Sequence, residues 1–266
     1  MNEINQEQLD KLIGSVQQSP KYAQIMPSLV ERIAREELEK HTDFAECVKA
    51  VRGRLHQLTG AYLAPKIAYA QWSVLFSDPS QDRRELCRRM LRLHASTAER
   101  LPFLESFYST CLAPISPLHS ILDLACGLNP LALPWMPVAE GCSYLACDVV
   151  LPMLGFVNQF FEIYPIAGQA FPCDLATYIP DQKVQVAFLL KTLPLLDQLD
   201  KTLGRRLLEG IQAEHILVSY PAKSLGGRAK GMPINYTAQF YRLIEGLPFQ
   251  VQSFAFPTEI AFLLSR

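Results

Sequence analysis

From residue 118 onward, short apolar runs alternate with helical stretches, and few folds accept that pattern. Ser120-Ile121-Leu122-Asp123-Leu124 leads into Ala125-Cys126-Gly127. Tyr144-Leu145-Ala146-Cys147-Asp148 precedes a helical stretch over Leu151–Ile163. Val184 to Leu190 is a third run, followed by a helix around Thr202 to Ile211, and Ile216-Leu217-Val218-Ser219 is a fourth. Phe249 to Phe256 and Glu259 to Leu264 read as a closing antiparallel pair. Strands this apolar are buried on both faces, so the pattern predicts an α/β fold with a largely parallel sheet covered by helices.

The first hundred residues read differently, as helices alone. Ser28 and Glu31 have capping-box spacing ahead of Leu29, Ile33 and Leu38. Asp43 and Glu46 repeat that spacing before Val48, Val51 and Leu55. A third helix is expected over Pro65 to Phe76, and a fourth from about Gln81 to Leu93 after the Asp78-Pro79 break. Pro102, Pro114 and Pro117 gather between the two patterns. The expected division is an all-helical domain over 1–107 and a Rossmann-like domain over 108–266.

Composition narrows the partners. Lys and Arg (25) nearly cancel Asp and Glu (26), so any polyanion-binding surface must be local rather than global. Arg84, Arg88 and Arg92 recur every four residues and should share a helix face, while Lys49, Arg52 and Arg54 form a second basic group. No apolar run approaches the roughly 20 residues of a membrane span, and Met1 to Asp10 is polar and acidic, without the apolar core of a signal peptide. The seven cysteines are odd in number and scattered, with no CxxC. They read as reduced thiols of a cytoplasmic chain rather than as disulfides or a metal site.

In parallel sheets of this kind ligands bind beyond the carboxyl ends of the strands, near the point where strand order reverses. Three strand ends carry acid or glycine: Asp123 with Gly127, then Asp148, then Asp174 after the strand or loop Gln169 to Cys173. Gly127 lets backbone approach a ligand closely. Asp148 suits both hydroxyls of a ribose, and Asp174 suits an adenine amino group; ordinary turn or cap duty is the competing use of either. The GxGxxG loop that cradles a pyrophosphate is missing. A nucleoside without pyrophosphate fits better, and S-adenosylmethionine is that ligand.

Two further segments add detail. In Leu93-His94-Ala95-Ser96-Thr97-Ala98-Glu99-Arg100-Leu101, Ser96 and Glu99 again have capping-box spacing. Arg100 offers a fork for the cofactor carboxylate, against the alternative of a surface pair with Glu99 or Glu105. Lys191 is a further candidate for the pocket wall. Ser219 to Met232 is a Gly-rich loop following a strand, with Lys223, Arg228 and Lys230 close together, a composition that favours a polyanion over a small molecule.

The sequence resembles the aminoglycoside-resistance 16S rRNA methyltransferases that modify N7 of guanine 1405 in the decoding site. The likeness rests on Arg54-Leu55-His56 with Gly60-Ala61-Tyr62, on Leu93 to Leu101, on Leu122 to Leu133 (LDLACGLNPLAL), on Leu190 to Leu196 (LKTLPLL), and on Ser219 to Met232 with Asn235-Tyr236. These stretches follow in order along nearly the whole chain. The resemblance implies a Rossmann-like S-adenosylmethionine methyltransferase domain behind a helical domain that docks on the small ribosomal subunit. It implies that Arg100, Gly127, Asp148 and Asp174 hold S-adenosylmethionine, whose product is S-adenosylhomocysteine, and that Lys223, Arg228 and Met232 sit by the target nucleotide. Guanine N7 carries a lone pair and no proton, so no residue is expected to act as acid or base. A small-molecule methyltransferase and a non-catalytic RNA-binding module are the alternatives. The basic loop speaks against the first, and intact Gly127 and Asp148 against the second.

Overall fold

The computed structural model describes residues 5–60, 67–164, 166–222 and 232–266. Its helices are α1 (Gln6–Gln17), α2 (Pro20–Ala23), α3 (Pro27–Leu38), α4 (Phe44–Leu55), α5 (Tyr69–Ser77), α6 (Arg83–Leu91), α7 (Ala95–Ala98), α8 (Leu104–Leu112), α9 (Leu151–Ile163), α10 (Leu193–Leu199), α11 (Leu203–Gly210) and α12 (Met232–Ile244). The strands are β1 (Leu118–Leu124), β2 (Val138–Asp148), β3 (Ala167–Pro172), β4 (Val184–Leu190), β5 (Ala213–Pro221), β6 (Gln250–Ala255) and β7 (Glu259–Ser265). They form one sheet in the order β3-β2-β1-β4-β5-β7-β6. The first five strands are parallel, and β7 is antiparallel to both β5 and β6. Strand order therefore reverses between β1 and β4.

Alternate residues of the central strands enter different cores, as a pleated strand requires. Ile121, Tyr144, Val186 and Leu217 pack on one face with α5, α6, α8 and α9. Leu122, Cys147, Ala187 and Ile216 pack on the other with α10, α11 and α12. A third core, built from α1, α3 and α4 around Leu9, Leu12, Ile33, Val51 and Leu55, stands apart from both.

The helical region thus splits into two groups. The break expected between 107 and 108 falls inside α8, whose Phe107 and Tyr108 belong to the core of the sheet. The helices expected around 28 and 96 also begin differently. Pro27 takes the first position of α3 with Met26 as the cap, so Ser28 caps nothing. In α7 the cap is His94; Ser96 bonds the His94 ring and Glu99 bonds Lys191. Asp43 does cap α4, accepting from the backbone of Glu46 at 2.8 Å. All seven cysteines are buried and unbridged.

The two basic groups fare differently. Arg84 and Arg88 lie over the Trp135 ring at 5.0 and 5.3 Å from its centroid, and Arg84 and Arg92 are exposed. Lys49, Arg52 and Arg54 form no common patch. Lys49 is exposed, Arg52 donates to the carbonyl of Ser15, and Arg54 is drawn into ion pairs with Glu36 and Glu37 at 2.6 and 2.8 Å. The carboxylates on neighbouring α3, 17 and 18 residues away, decide that outcome, and the spacing within α4 does not reveal them.

Candidate cofactor cleft

A cleft of about 830 Å³, open mouth included, lies at the strand-order reversal. Ala125 and Gly127 after β1, Asp148 to Val150 after β2, Cys173 to Leu175 after β3, and Leu190 and Thr192 after β4 line it. Leu195, Leu196 and Leu199 of α10 add an apolar wall. Sequence reading passed over α10 because Pro194 interrupts its short apolar run, although that proline occupies the first turn, where helices tolerate it.

Asp148 and Gly127 meet at the cleft edge. The Gly127 backbone donates to Asp148 Oδ2 at 3.0 Å, and Val149 and Val150 donate to Oδ1 at 2.7 and 3.2 Å. Burial raises the Asp148 pKa, and these three N–H groups oppose that rise without cancelling it. Oδ1 is filled by its two backbone donors, whereas Oδ2 keeps one acceptor site, so the group is fixed in orientation with room for a ligand hydroxyl. Asp174 lines the same cleft; Arg32 donates to its Oδ2 at 2.7 Å and the Ala176 backbone to its Oδ1 at 3.0 Å. Cys173 also faces the cleft, beside Asp174.

Gly127 has a positive φ of 53°. A Cβ built there would lie 2.9 Å from His94 Nε2, so the His94 ring, itself on the cleft wall, requires a glycine. Burial, followed by the charges of Lys191 and Arg100, pushes the His94 pKa down to about 4, so the ring is neutral near pH 7. Gly127→Ala is expected to cost about 1–2 kcal/mol from the backbone alone, plus the steric repulsion. The thermal midpoint should fall by roughly 2–4 °C per kcal/mol in a chain of this size, with weaker nucleoside binding as the ring moves. An unchanged midpoint in a scanning calorimeter would show that His94 yields freely.

Arg100 and Lys191 take positions other than those expected. Arg100 is buried, and its fork is engaged by Glu259: Nε donates to Oε2 at 3.0 Å and Nη2 to Oε1 at 2.5 Å. Its Nη1 donates to Asn129 and Tyr108. The surface pairing with Glu99 or Glu105 gives way to a buried pair with a residue 159 positions away. Lys191, with φ 60°, turns its ammonium to Glu99 at 2.6 Å, Glu259 at 3.6 Å and the Ser96 carbonyl at 3.0 Å. Since Ser96, Leu190 and Thr192 line the cleft, this network supports its wall from behind. Asp123 is likewise off the wall. It accepts from Asn129 and Tyr144, and burial raises its pKa to about 7 against those two bonds. Glu259 and Arg32 carried no signal in the sequence, because their partners are 159 and 142 residues away along the chain.

Lys223 and Arg228 lie outside the described residues, and Met232 opens α12 with its side chain outside them. Among the described residues no group of His, Cys, Asp or Glu is placed to hold a metal, and no helix is long and apolar enough to cross a membrane.

The cleft fits an S-adenosylmethionine-type nucleoside: two oriented carboxylates on adjacent strand ends and apolar walls, with Gly127 donating to Asp148 instead of to a phosphate. Comparison with known proteins agrees. Residues 18–261 match the ribosomal RNA methyltransferase (FmrO) family. A 16S rRNA (guanine(1405)-N(7))-methyltransferase of Micromonospora olivasterospora is 36% identical, covering 92% of this chain and 84% of that protein. The enzyme of the same description from Micromonospora echinospora is 31% identical over 98% of each chain. Among solved structures, the 16S rRNA methyltransferase RmtF in complex with S-adenosyl-L-homocysteine superposes with a TM-score of 0.87 at 28% identity, covering 98% of this chain and 99% of that one. On that fold, that cleft and those matches, the chain belongs to the ribosomal RNA methyltransferase (FmrO) family.

Proposed function

We propose that the protein transfers a methyl group from S-adenosylmethionine to N7 of guanine 1405 of 16S rRNA, in the decoding site of the assembled small ribosomal subunit, and so gives aminoglycoside resistance in the cytoplasm. The observation that carries this reading is the nucleoside cleft at the β1/β4 reversal, in a chain alike over nearly its full length to enzymes of that specificity. S-adenosylmethionine supplies an electrophilic methyl group. Asp148 holds a ribose hydroxyl and Asp174 the adenine amino group, while the Arg100–Glu259–Lys191 network keeps the cleft wall in place. The guanine N7 lone pair needs no base to accept a methyl group, so the protein contributes alignment, an effect of order 7–11 kcal/mol in well-oriented systems. Unstacking the target guanine costs about a few kcal/mol. Lys223, Arg228 and Met232 offset it by binding the displaced nucleotide and its phosphates. Methylation of intact small subunits with labelled S-adenosylmethionine, mapped by primer extension after borohydride reduction and aniline cleavage at the methylated guanine, tests the reading. A label on free aminoglycoside, or at another nucleotide, refutes it.

The docking surface includes Arg84 and Arg88, whose cations lie over Trp135, and the exposed Arg92 at the end of α6. Arg84 is only loosely engaged, 3.5 Å from an exposed Glu105. Reversing all three charges is expected to weaken subunit binding and flatten its dependence on salt by about 2–3 units of log–log slope, as three phosphate contacts at roughly 0.7–0.9 each imply. Cofactor affinity should not change. A preserved salt slope would assign those arginines to solvent.

A further inference from the structure

The third core, around α1, α3 and α4, is separate from the sheet, yet it reaches the cleft in three ways. Leu29 of α3, with Leu58 and Thr59 beyond α4, lines the cleft opposite the strand ends. Gln24 to Met26 pair antiparallel with the residues just after Asp148: Met26 donates to the Val149 carbonyl at 2.8 Å and Leu151 to the Gln24 carbonyl at 3.0 Å. Arg32 of α3 donates to Asp174, 142 residues away, at 2.7 Å, and to Glu36 at 2.7 Å. Its Nη2 is buried without a hydrogen-bond partner among the described residues.

We infer that Arg32 is a positioning residue of the nucleoside site, setting the Asp174 carboxylate to accept from the base, so that the N-terminal helical unit supplies half of base recognition. The inference rests on the reading of Asp174 as the adenine contact. Asp174 has acceptors to spare after Arg32 and the Ala176 backbone are satisfied. The bond from Nε fixes the carboxylate plane by a charge-assisted contact, and that contact crosses from one core to the other. A carboxylate held this way accepts an amino group and repels the carbonyl oxygen that replaces it in inosine. The N-terminal unit would then affect which base is accepted as well as how tightly any nucleoside is held.

The test uses the full chain and two ligands, S-adenosyl-L-homocysteine and S-inosyl-L-homocysteine, measured by calorimetry. The wild type should prefer the adenosyl ligand by at least tenfold. Arg32→Met should lower adenosyl affinity about tenfold, leave inosyl affinity nearly unchanged, and bring the ratio toward one; Arg32→Lys should restore part of the preference. The ratio comes from one protein sample, so a partly folded variant does not distort it. Equal losses for both ligands would make Arg32 structural only and overturn the inference. Asp174→Asn separates the two readings, since an amide donates to the inosine oxygen and should invert the preference. If it leaves the ratio unchanged, Asp174 does not read the base. If it inverts the ratio while Arg32→Met does not move it, the role of Arg32 alone fails.

Discussion

Glu259→Ala is expected to lower the unfolding free energy by about 3–5 kcal/mol, the loss typical when one partner of a buried ion pair is removed. Glu259 is fully buried, with Arg100 against both carboxylate oxygens and Lys191 at 3.6 Å from one of them. Burial pushes its pKa up, but the charges of Arg100 and Lys191 outweigh that and hold it below its ordinary value. The carboxylate's contribution is therefore present above the ordinary carboxylate range and is lost as pH falls through the lowered folded value. Alanine leaves the Arg100 guanidinium buried among Phe107, Tyr108 and Asn129 with no anion, while Lys191 keeps Glu99. Chemical denaturation reads the loss. Glu259→Gln should cost less, because it keeps the shape and one acceptor. The double variant Arg100→Met/Glu259→Leu should recover much of the loss, since the cost lies chiefly in the orphaned charge. A drop below 1 kcal/mol for Glu259→Ala would mean that water reaches Arg100.

What the sequence disclosed follows the range of the forces involved. Leu151–Ile163 and Val184–Leu190 appear in the structure with the bounds their local patterns indicate. The helix α8 was obscured because Pro102 and Pro114 suggested a linker, whereas both prolines stand in short 3-10 turns that bracket it. At the site, Asp148, Asp174 and Gly127 were legible, because a strand end followed by an acid or a glycine is a local signature. The partners of Arg100 and Asp174 were not, since Glu259 and Arg32 lie 159 and 142 residues away. Lys191 illustrates the same limit. Its position after β4 suggests the cleft, but its strained backbone and two distant carboxylates turn the ammonium elsewhere.

Asp148→Ala is expected to weaken S-adenosyl-L-homocysteine binding by at least tenfold, since hydrogen bonds to a charged group contribute about 1.5–3 kcal/mol. Asp148 is the last residue of β2, and its carboxylate is already oriented by the backbones of Gly127, Val149 and Val150. That orientation leaves one acceptor site on Oδ2 for a ligand hydroxyl. It also means that alanine frees three backbone donors, so part of the loss would come from a loosened cleft edge. Asp148→Asn separates the contributions: it keeps one acceptor for the loop and loses the charge, and its affinity should fall between the two. The acid side gives an independent check. Burial raises the Asp148 pKa above its ordinary value. Wild-type affinity should therefore decline on acidification before exposed carboxylates titrate, and Asp148→Asn should not follow that decline. Calorimetric titrations across pH on all three proteins decide the matter: unchanged affinity in Asp148→Ala would remove Asp148 from the site, and parallel pH curves for wild type and Asp148→Asn would assign the acid sensitivity to another group.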